Sequence, residues 1–267
     1  MQASRLAVLT RPAGRNEALA ERLRARGWEA LALPALRIVP LAPQPLPRPA
    51  DYDVVVFVSG NAVRHYFSSL AQTPGTPVWP AATAAAVVGE ASAAALRALP
   101  QWPASAVLLQ PAEGAPQDSE ALWEILRARP VPRRVLIVRG TEGRDWLAEQ
   151  LAGQGAQVDI RAVYARQPET WPPEALARLH EAARDGLAAH WLITSAEGLH
   201  AVTRQLEQAG LQAWFAACPG VTVHPRLADL WRRYAADTIG HDEASRAMVQ
   251  ISMPADEALA RAFPLQN

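Results

Sequence analysis

The sequence repeats a long motif in its two halves. "GRNEALAERLRARG" at residues 14–27 returns as "GRDWLAEQLAGQG" at residues 143–155, with one residue skipped. Each copy follows a short apolar run, beginning at Arg5 and at Arg134, and precedes a second run, "EALAL" or "AQVDI". An apolar run, an amphipathic segment ending at glycine and another apolar run predict strand–helix–strand. We call this unit X, and its copies begin 129 residues apart (134 − 5).

A second motif is also repeated. "DVVVFVSGNAV" at residues 53–63 resembles "AHWLITSAEGL" at residues 189–199, and both predict an apolar strand, a serine and a helix. Ser59 and Ser195 hold the same place, 136 residues apart (195 − 59). Further on, "VVGEASAAAL" resembles "TVHPRLADLW", again a strand followed by a helix. We call this unit Y. The order X, Y, X, Y indicates two related domains rather than a solenoid of short repeats.

The breaks in the sequence indicate which units share a domain. Proline-rich stretches typical of linkers lie inside each X–Y pair, at residues 34–49 and 164–173. The passage from the first Y to the second X, residues 108–134, instead contains the amphipathic stretch "DSEALWEILRA", with Ser119 as its predicted N-cap. We therefore pair the first X with the last Y, and the inner Y with the inner X.

This pairing predicts an α/β fold in which one domain is inserted into the other. Each domain is expected to hold about five strands alternating with helices, in a doubly wound parallel sheet of flavodoxin-like order. Ligands of such sheets bind outside the carboxyl ends of the strands, and two similar domains facing each other would present these ends to one cleft. The predicted bounds are residues 1–36 with 170–267 for the outer domain, 42–162 for the inserted domain, and 37–41 and 163–169 for the two linker strands.

Composition and missing motifs exclude several classes of function. The net charge is zero and no basic block indicates a nucleic-acid partner. Cys218 is the one cysteine and is predicted to be a core residue in a reducing compartment. No apolar run reaches the roughly 18 residues of a membrane span, and the start is too weakly apolar for a signal peptide, so we expect a cytoplasmic protein. No phosphate loop, dinucleotide fingerprint, metal spacing or nucleophile elbow is present, so neither cofactor nor metal is predicted.

The turns after the strands are candidate anion sites. Ser59 and Ser195 each end a strand and are predicted to cap the next helix, whose N-terminal N–H groups attract carboxylates or phosphates. A single turn of this kind is a common structural cap, but several together suit a ligand with many negative groups. The X turns add fixed cations, namely Arg11, Arg15, Arg139 and Arg144.

The chain resembles the uroporphyrinogen-III synthase family. "VLTRP", "FVSGNAV", "VVGEASAAAL", "SEALWEIL", "VLIVRGTEGRDWLAEQLAGQG" and "ITSAEGL" occur in the order of that family. The resemblance implies a two-domain fold and the closure of hydroxymethylbilane to uroporphyrinogen III, with loss of water and inversion of ring D, without a cofactor. Tyr164 in "AVYAR" matches a tyrosine that would donate a hydrogen bond to the departing hydroxyl. Packing at the hinge is the alternative role of Tyr164.

The resemblance and the turns together define a set of expected substrate-binding residues. These are Arg11, Ser59, Asn61, Ser92, Arg139, Arg144, Arg166, Ser195 and Arg226. Ser92 stands where the family has threonine, and Arg226 and Leu227 stand where some members have paired threonines. The expected protein is a monomer whose partners are its substrate and, transiently, the preceding enzyme of the pathway. The competing hypotheses are a two-domain cytosolic binding protein for an anionic small molecule and a diverged pseudo-enzyme.

Overall fold

The apolar runs of both repeated units form strands, and the amphipathic stretches between them form helices. A computed structural model describes residues 5–42, 45–71, 79–112, 114–244 and 248–264. The strands are β1 Arg5–Leu9, β2 Trp28–Ala32, β3 Leu36–Pro40, β4 Val54–Phe57, β5 Ala84–Val87, β6 Leu108–Leu109, β7 Arg134–Gly140, β8 Gln157–Pro168, β9 His190–Leu192, β10 Gly220–Thr222 and β11 Val249–Ile251.

The helices follow the same numbering along the chain, and a short 3-10 helix at Pro49–Asp51 precedes β4. They are α1 Glu17–Arg24, α2 Gly60–Leu70, α3 Glu90–Arg97, α4 Ser119–Arg127, α5 Trp146–Gly153, α6 Pro173–Arg184, α7 Ala196–Gln208, α8 Gln212–Ala217, α9 Pro225–Ile239, α10 His241–Ala244 and α11 Asp256–Ala262. No helix in the described part of the chain is both long and apolar enough to span a membrane.

The chain divides into two units. The outer unit consists of Met1–Arg37 and Gln167–Asn267, and the inner unit consists of Ile38–Arg166. Within the described residues, the outer sheet has the order β2-β1-β9-β10-β11, with every neighbouring pair parallel. Counted along its own chain, this order is 2-1-3-4-5, the predicted flavodoxin-like arrangement.

The inner sheet contains equivalent strands in the same places, but its chain starts elsewhere. Its order over the described residues is β6-β5-β4-β7-β8-β3, and the pairs from β6 to β8 are parallel. Counted from β4 and leaving out β3, the order is 3-2-1-4-5, so the predicted flavodoxin-like order is wrong for this unit. The cause is the insertion: the outer chain begins with X and the inner chain with Y, which makes the two units circular permutations of one sheet.

Strand register corrects the spacing of the X copies. Ala7 pairs with His190 in the outer sheet, and Val135 pairs with Val54 in the inner sheet. The Y copies are 136 residues apart (190 − 54), as predicted, and the X copies are then 128 apart (135 − 7) rather than 129. The Gly-Arg match that opens the two motifs is therefore a sequence coincidence. The end of β1 at Arg11 corresponds to Arg139 on β7.

Each sheet is buried on both faces, which explains the nearly continuous apolar strands. Val54–Phe57 is buried throughout, and residues 6–9 of β1 are fully buried. Helices cover both faces of each sheet, as expected for a doubly wound fold. Cys218 lies in the core of the outer unit, as predicted, and burial raises the pKa of its thiol to about 12.

Two local features differ from the prediction. The N-cap of α4 is Asp118, whose side chain accepts a hydrogen bond from the N–H of Ala121, whereas Ser119 is the first helical residue. Aspartate and serine are comparable caps, so composition could not separate them. In addition, β8 continues through the proline-flanked stretch predicted to be a linker. Tyr164 is therefore part of a strand and pairs with Gly140 of β7.

Candidate functional site

A pocket lies at the carboxyl ends of β4 and β7 in the inner unit. Its volume is about 180 Å³. Five residues expected from the sequence line it together, namely Ser59, Arg139, Arg144, Tyr164 and Arg166. The remaining lining residues are Val58, Ser119, Ile137, Glu142, Gly143, Leu147, Ala148 and Ile160. The pocket thus combines cations and hydroxyls with an apolar wall, and the parallel sheet brings them together because its strands end at one edge.

Tyr164 has a closely defined position in this pocket. Its side chain is 2 % exposed, and its hydroxyl oxygen lies 3.1 Å from Ser59 Oγ. The ring packs over Gly140, where a β-carbon would come within 2.8 Å of the ring atom Cε2. The ring of His65 lies 5.8 Å from that of Tyr164, centroid to centroid. Burial, with a contribution from Arg64, lowers the pKa of His65, so this ring is neutral at pH 7.

Ser59 connects this tyrosine to the start of α2. Its extended backbone places Oγ 3.1 Å from the N–H of Ala62, from which it accepts a hydrogen bond. This is the N-cap predicted from the sequence. The Ser59 hydroxyl therefore contacts a helix N-terminus on one side and a phenol on the other.

Carboxylates of the chain pair with two of the pocket arginines. Arg139 lies 2.7 Å from Asp145, and only 16 % of its side chain is exposed. Arg144 is more exposed and donates two hydrogen bonds to Glu120, at 2.6 and 2.8 Å. The hydrogen bonds from Arg144 lower the pKa of Glu120. An anionic ligand would compete with these carboxylates for the guanidinium groups.

Two other expected residues of the inner unit lie outside the pocket lining. Asn61 is in the first turn of α2, where its Oδ1 accepts a hydrogen bond from Arg64 at 2.7 Å. Ser92 is on α3 and is 4 % exposed. The inner unit therefore brings five of its seven expected residues to one pocket.

The outer unit contains the other three expected residues. Ser195 caps α7 by accepting a hydrogen bond from the N–H of Gly198 at 3.0 Å. Arg11 follows β1 and lies 2.7 Å from Asp256, while its buried Nε and second Nη atom have no hydrogen-bond partner among the described residues. Arg226 is exposed in the first turn of α9, and its N–H donates to Nδ1 of His224.

Sequence reasoning missed the acidic partners and the glycine under the tyrosine. Asp145 is adjacent in sequence to Arg144 but pairs with Arg139, and Glu120 reaches Arg144 from another helix. Their pairing depends on the tertiary placement of α4 and α5, for which the sequence has no local signal. Gly140 ends an apolar strand, and this position could have indicated a close approach of another residue.

The described residues contain no group of three or more histidine, cysteine or acidic side chains placed to hold a metal ion. Fold and site together define a class: a parallel α/β protein with two similar units, whose strand-end turns present arginines and capped helix ends to an anionic ligand. The family profile described as uroporphyrinogen-III synthase HemD matches residues 17–239. The chain therefore belongs to the uroporphyrinogen-III synthase family, and the predicted resemblance is confirmed.

Known proteins of the same name are similar along almost the whole chain. The uroporphyrinogen-III synthase of Salmonella typhimurium is 29 % identical over 261 residues, which covers 90 % of this chain and 98 % of that protein. The Escherichia coli protein is 27 % identical over 255 residues, with the same coverage of 90 % and 98 %.

Solved structures of two such enzymes have the same fold. The Helicobacter pylori structure gives a TM-score of 0.57 at 16 % identity, covering 97 % of this chain and all of that one (100 %). A mutant from Thermus thermophilus gives 0.51 at 19 % identity, covering 97 % of each chain. The predicted α/β class with parallel sheets is confirmed.

Proposed function

We propose that this chain catalyses the uroporphyrinogen-III synthase reaction, closing hydroxymethylbilane to uroporphyrinogen III with loss of water and inversion of ring D. The family assignment supports the activity. The observation that supports the site is the meeting of the Tyr164 hydroxyl with Arg139, Arg144 and Arg166 around one pocket. A substrate with acetate and propionate groups on every ring needs such cations, and the reacting carbon needs a hydrogen-bond donor.

The arginines and the capped helix ends bind the carboxylates of the substrate in this proposal. Arg139 is mostly buried, so its hydrogen bonds to an anion are protected from water. The arginine fork can hold a carboxylate with two hydrogen bonds, which fixes orientation as well as charge. Arg11, Ser195 and Arg226 of the outer unit would bind further carboxylates of the same substrate.

Tyr164 is the proposed catalytic residue. The C–O bond of the hydroxymethyl group breaks, and the phenol donates to the departing oxygen, which leaves as water. The electrophilic azafulvene that remains is attacked at the substituted carbon of ring D, through a spiro intermediate. No cofactor is required because the substrate is already reactive, so holding the bilane in the right shape determines which isomer forms.

The isomer of the product is the decisive measurement. Purified protein is mixed with freshly prepared hydroxymethylbilane, the products are oxidised, and the type I and type III uroporphyrins are separated by chromatography. We expect type III in large excess, whereas heat-denatured protein should give the type I isomer of the spontaneous reaction. A native protein that binds the bilane but yields only type I would be a binding protein or pseudo-enzyme, and the proposal would be wrong.

Three broader properties complete the proposal. We place the protein in the cytoplasm, because its one cysteine is a buried core residue and its arginines and acidic residues are balanced in number. We propose that it acts as a monomer without a nucleic-acid partner. Transient contact with the enzyme that makes hydroxymethylbilane would shorten the lifetime of that unstable intermediate in solution.

A further inference from the structure

The hydroxyl pair of Ser59 and Tyr164 has a defined donor and acceptor capacity. A serine hydroxyl has one proton to donate and two lone pairs. One lone pair of Ser59 Oγ accepts from the N–H of Ala62, so its proton remains available for the Tyr164 oxygen 3.1 Å away. In the opposite arrangement, Tyr164 would donate to Ser59 and would have no proton left for a substrate.

We propose that Ser59 is a positioning residue that donates its proton to the Tyr164 oxygen and thereby directs the phenolic O–H toward the substrate. This inference rests on the proposed function and assigns Ser59 a role other than the direct substrate binding predicted from the sequence. As the phenol gives its proton to the departing hydroxyl, negative charge grows on the Tyr164 oxygen. The hydrogen bond from Ser59 strengthens with that charge. The phenolate recovers a proton from the pyrrole ring that loses one on closure, so the step is balanced.

The surroundings of the tyrosine leave its hydroxyl few other orientations. The Tyr164 carbonyl accepts a hydrogen bond from the N–H of Thr141 at 2.9 Å, which fixes the backbone. The ring packs over Gly140, where any β-carbon would lie 2.9 Å from Cζ. A single further hydrogen bond to the phenolic oxygen is then enough to set the direction of its proton.

Ser195 in the outer unit provides an internal comparison. It caps α7 through the N–H of Gly198, as Ser59 caps α2, and that hydrogen bond is the only one to Ser195 Oγ among the described residues. Ala35 lies beside this turn, and its β-carbon would be 3.7 Å from a β-carbon added to Gly198. A serine cap therefore needs no tyrosine, and the Ser59–Tyr164 contact is an additional feature of the inner unit.

The test is a double-mutant cycle measured with the isomer assay. Ser59→Ala should lower kcat about tenfold with little change in KM, because one hydrogen bond to the catalytic phenol is lost. The same substitution in a Tyr164→Phe background should have no further effect on kcat. Ser59→Thr retains the hydroxyl and should restore most of the lost kcat. Ser195→Ala should lower the melting temperature about as much as Ser59→Ala, but with the same effect on kcat whether or not Tyr164 is present.

Other outcomes are equally clear. If Ser59→Ala lowers kcat by the same factor in both backgrounds, or acts mainly on KM, Ser59 contacts the substrate directly and this inference is wrong. If the wild type makes no type III excess, or Tyr164→Phe is fully active, the proposed function or its catalytic residue fails instead. Should Ser59→Ala be too unstable to measure, Ser59→Gly gives the same test, because glycine is a better helix cap than alanine.

Discussion

The inner and outer units share a sheet and differ in what stands beside their serine-capped turns. Both have a serine accepting a hydrogen bond at the start of a long helix, and both have an arginine at the end of the first X strand. Arg11 and Arg139 even have the same kind of partner, a carboxylate at 2.7 Å. In the inner unit, however, the serine meets Tyr164, whereas Ala35 lies beside the outer turn.

This comparison separates binding from chemistry. Groups that hold an anion, namely helix ends and arginines, occur in both copies, because a substrate with carboxylates on every ring can use both. A donor for one departing hydroxyl is needed once, and it is present once among the described serine-capped turns. Duplication followed by divergence at one position would produce this arrangement, and the following substitutions test it.

Removing the phenolic hydroxyl should have the largest effect. Tyr164→Phe keeps the buried ring over Gly140 and leaves Ser59 as a helix cap alone, like Ser195. Loss of one well-placed donor in a protected site costs about 10²–10³ in rate, so we expect kcat to fall by that factor with KM and melting temperature little changed. The fraction of type III product should remain high, because positioning of the bilane does not depend on this hydroxyl. Near-normal kcat would make Tyr164 a packing residue.

Truncating the two equivalent arginines should have an intermediate effect. A charge-assisted hydrogen bond contributes about 1.5–3 kcal/mol, and competition with Asp145 or Asp256 reduces the net value to the lower end. We therefore expect Arg139→Ala and Arg11→Ala each to raise KM about tenfold. Arg127→Ala is the control, because this arginine forms only an exposed pair with Glu124. A raised KM for Arg139→Ala alone would restrict binding to the inner unit.

Much of the fold could be predicted because its determinants are local. Apolar strands, helix stripes and the glycines that end α1 and α5 are visible in a short window, and their repetition indicates two units. The inner pocket could also be anticipated, because parallel strands bring their carboxyl ends to one edge. Ser59 and Arg139 were assigned from that rule alone.

The errors concern features that depend on register or on tertiary packing. The Gly-Arg pairs at residues 14 and 143 are identical in sequence, yet strand pairing excludes their equivalence. Whether Asp118 or Ser119 caps α4 depends on one backbone angle, because both side chains can cap. The pairing of Glu120 with Arg144 joins residues from different elements, and many other acidic residues had the same composition-based claim.

The smallest expected effect concerns a histidine in the outer sheet that corresponds to an apolar residue in the inner sheet. His190 pairs with Ala7 as Val54 pairs with Val135, so the two positions are equivalent. The imidazole packs between Trp28 and Phe263, and its Nδ1 is buried without a hydrogen-bond partner among the described residues. Burial, and to a lesser degree the charge of Arg5, lowers the pKa of His190 to about 4.

His190→Val should therefore make the protein less sensitive to acid. The folded pKa lies below the unfolded value of about 6.5, so the unfolded chain binds more protons between about pH 6.5 and 4. Wild-type stability falls as the pH decreases through this window, whereas the valine variant lacks that loss. Relative to wild type, the variant should gain about 1–2 kcal/mol in unfolding free energy between about pH 7.5 and 4.5, less than full linkage because the ring is only partly buried. Urea unfolding of both proteins at each pH measures this gain, and the contributions of the other titrating groups cancel in the difference. A difference in stability that stays constant across this pH range would mean that His190 has an ordinary pKa, and acid sensitivity would then not distinguish the two sheets.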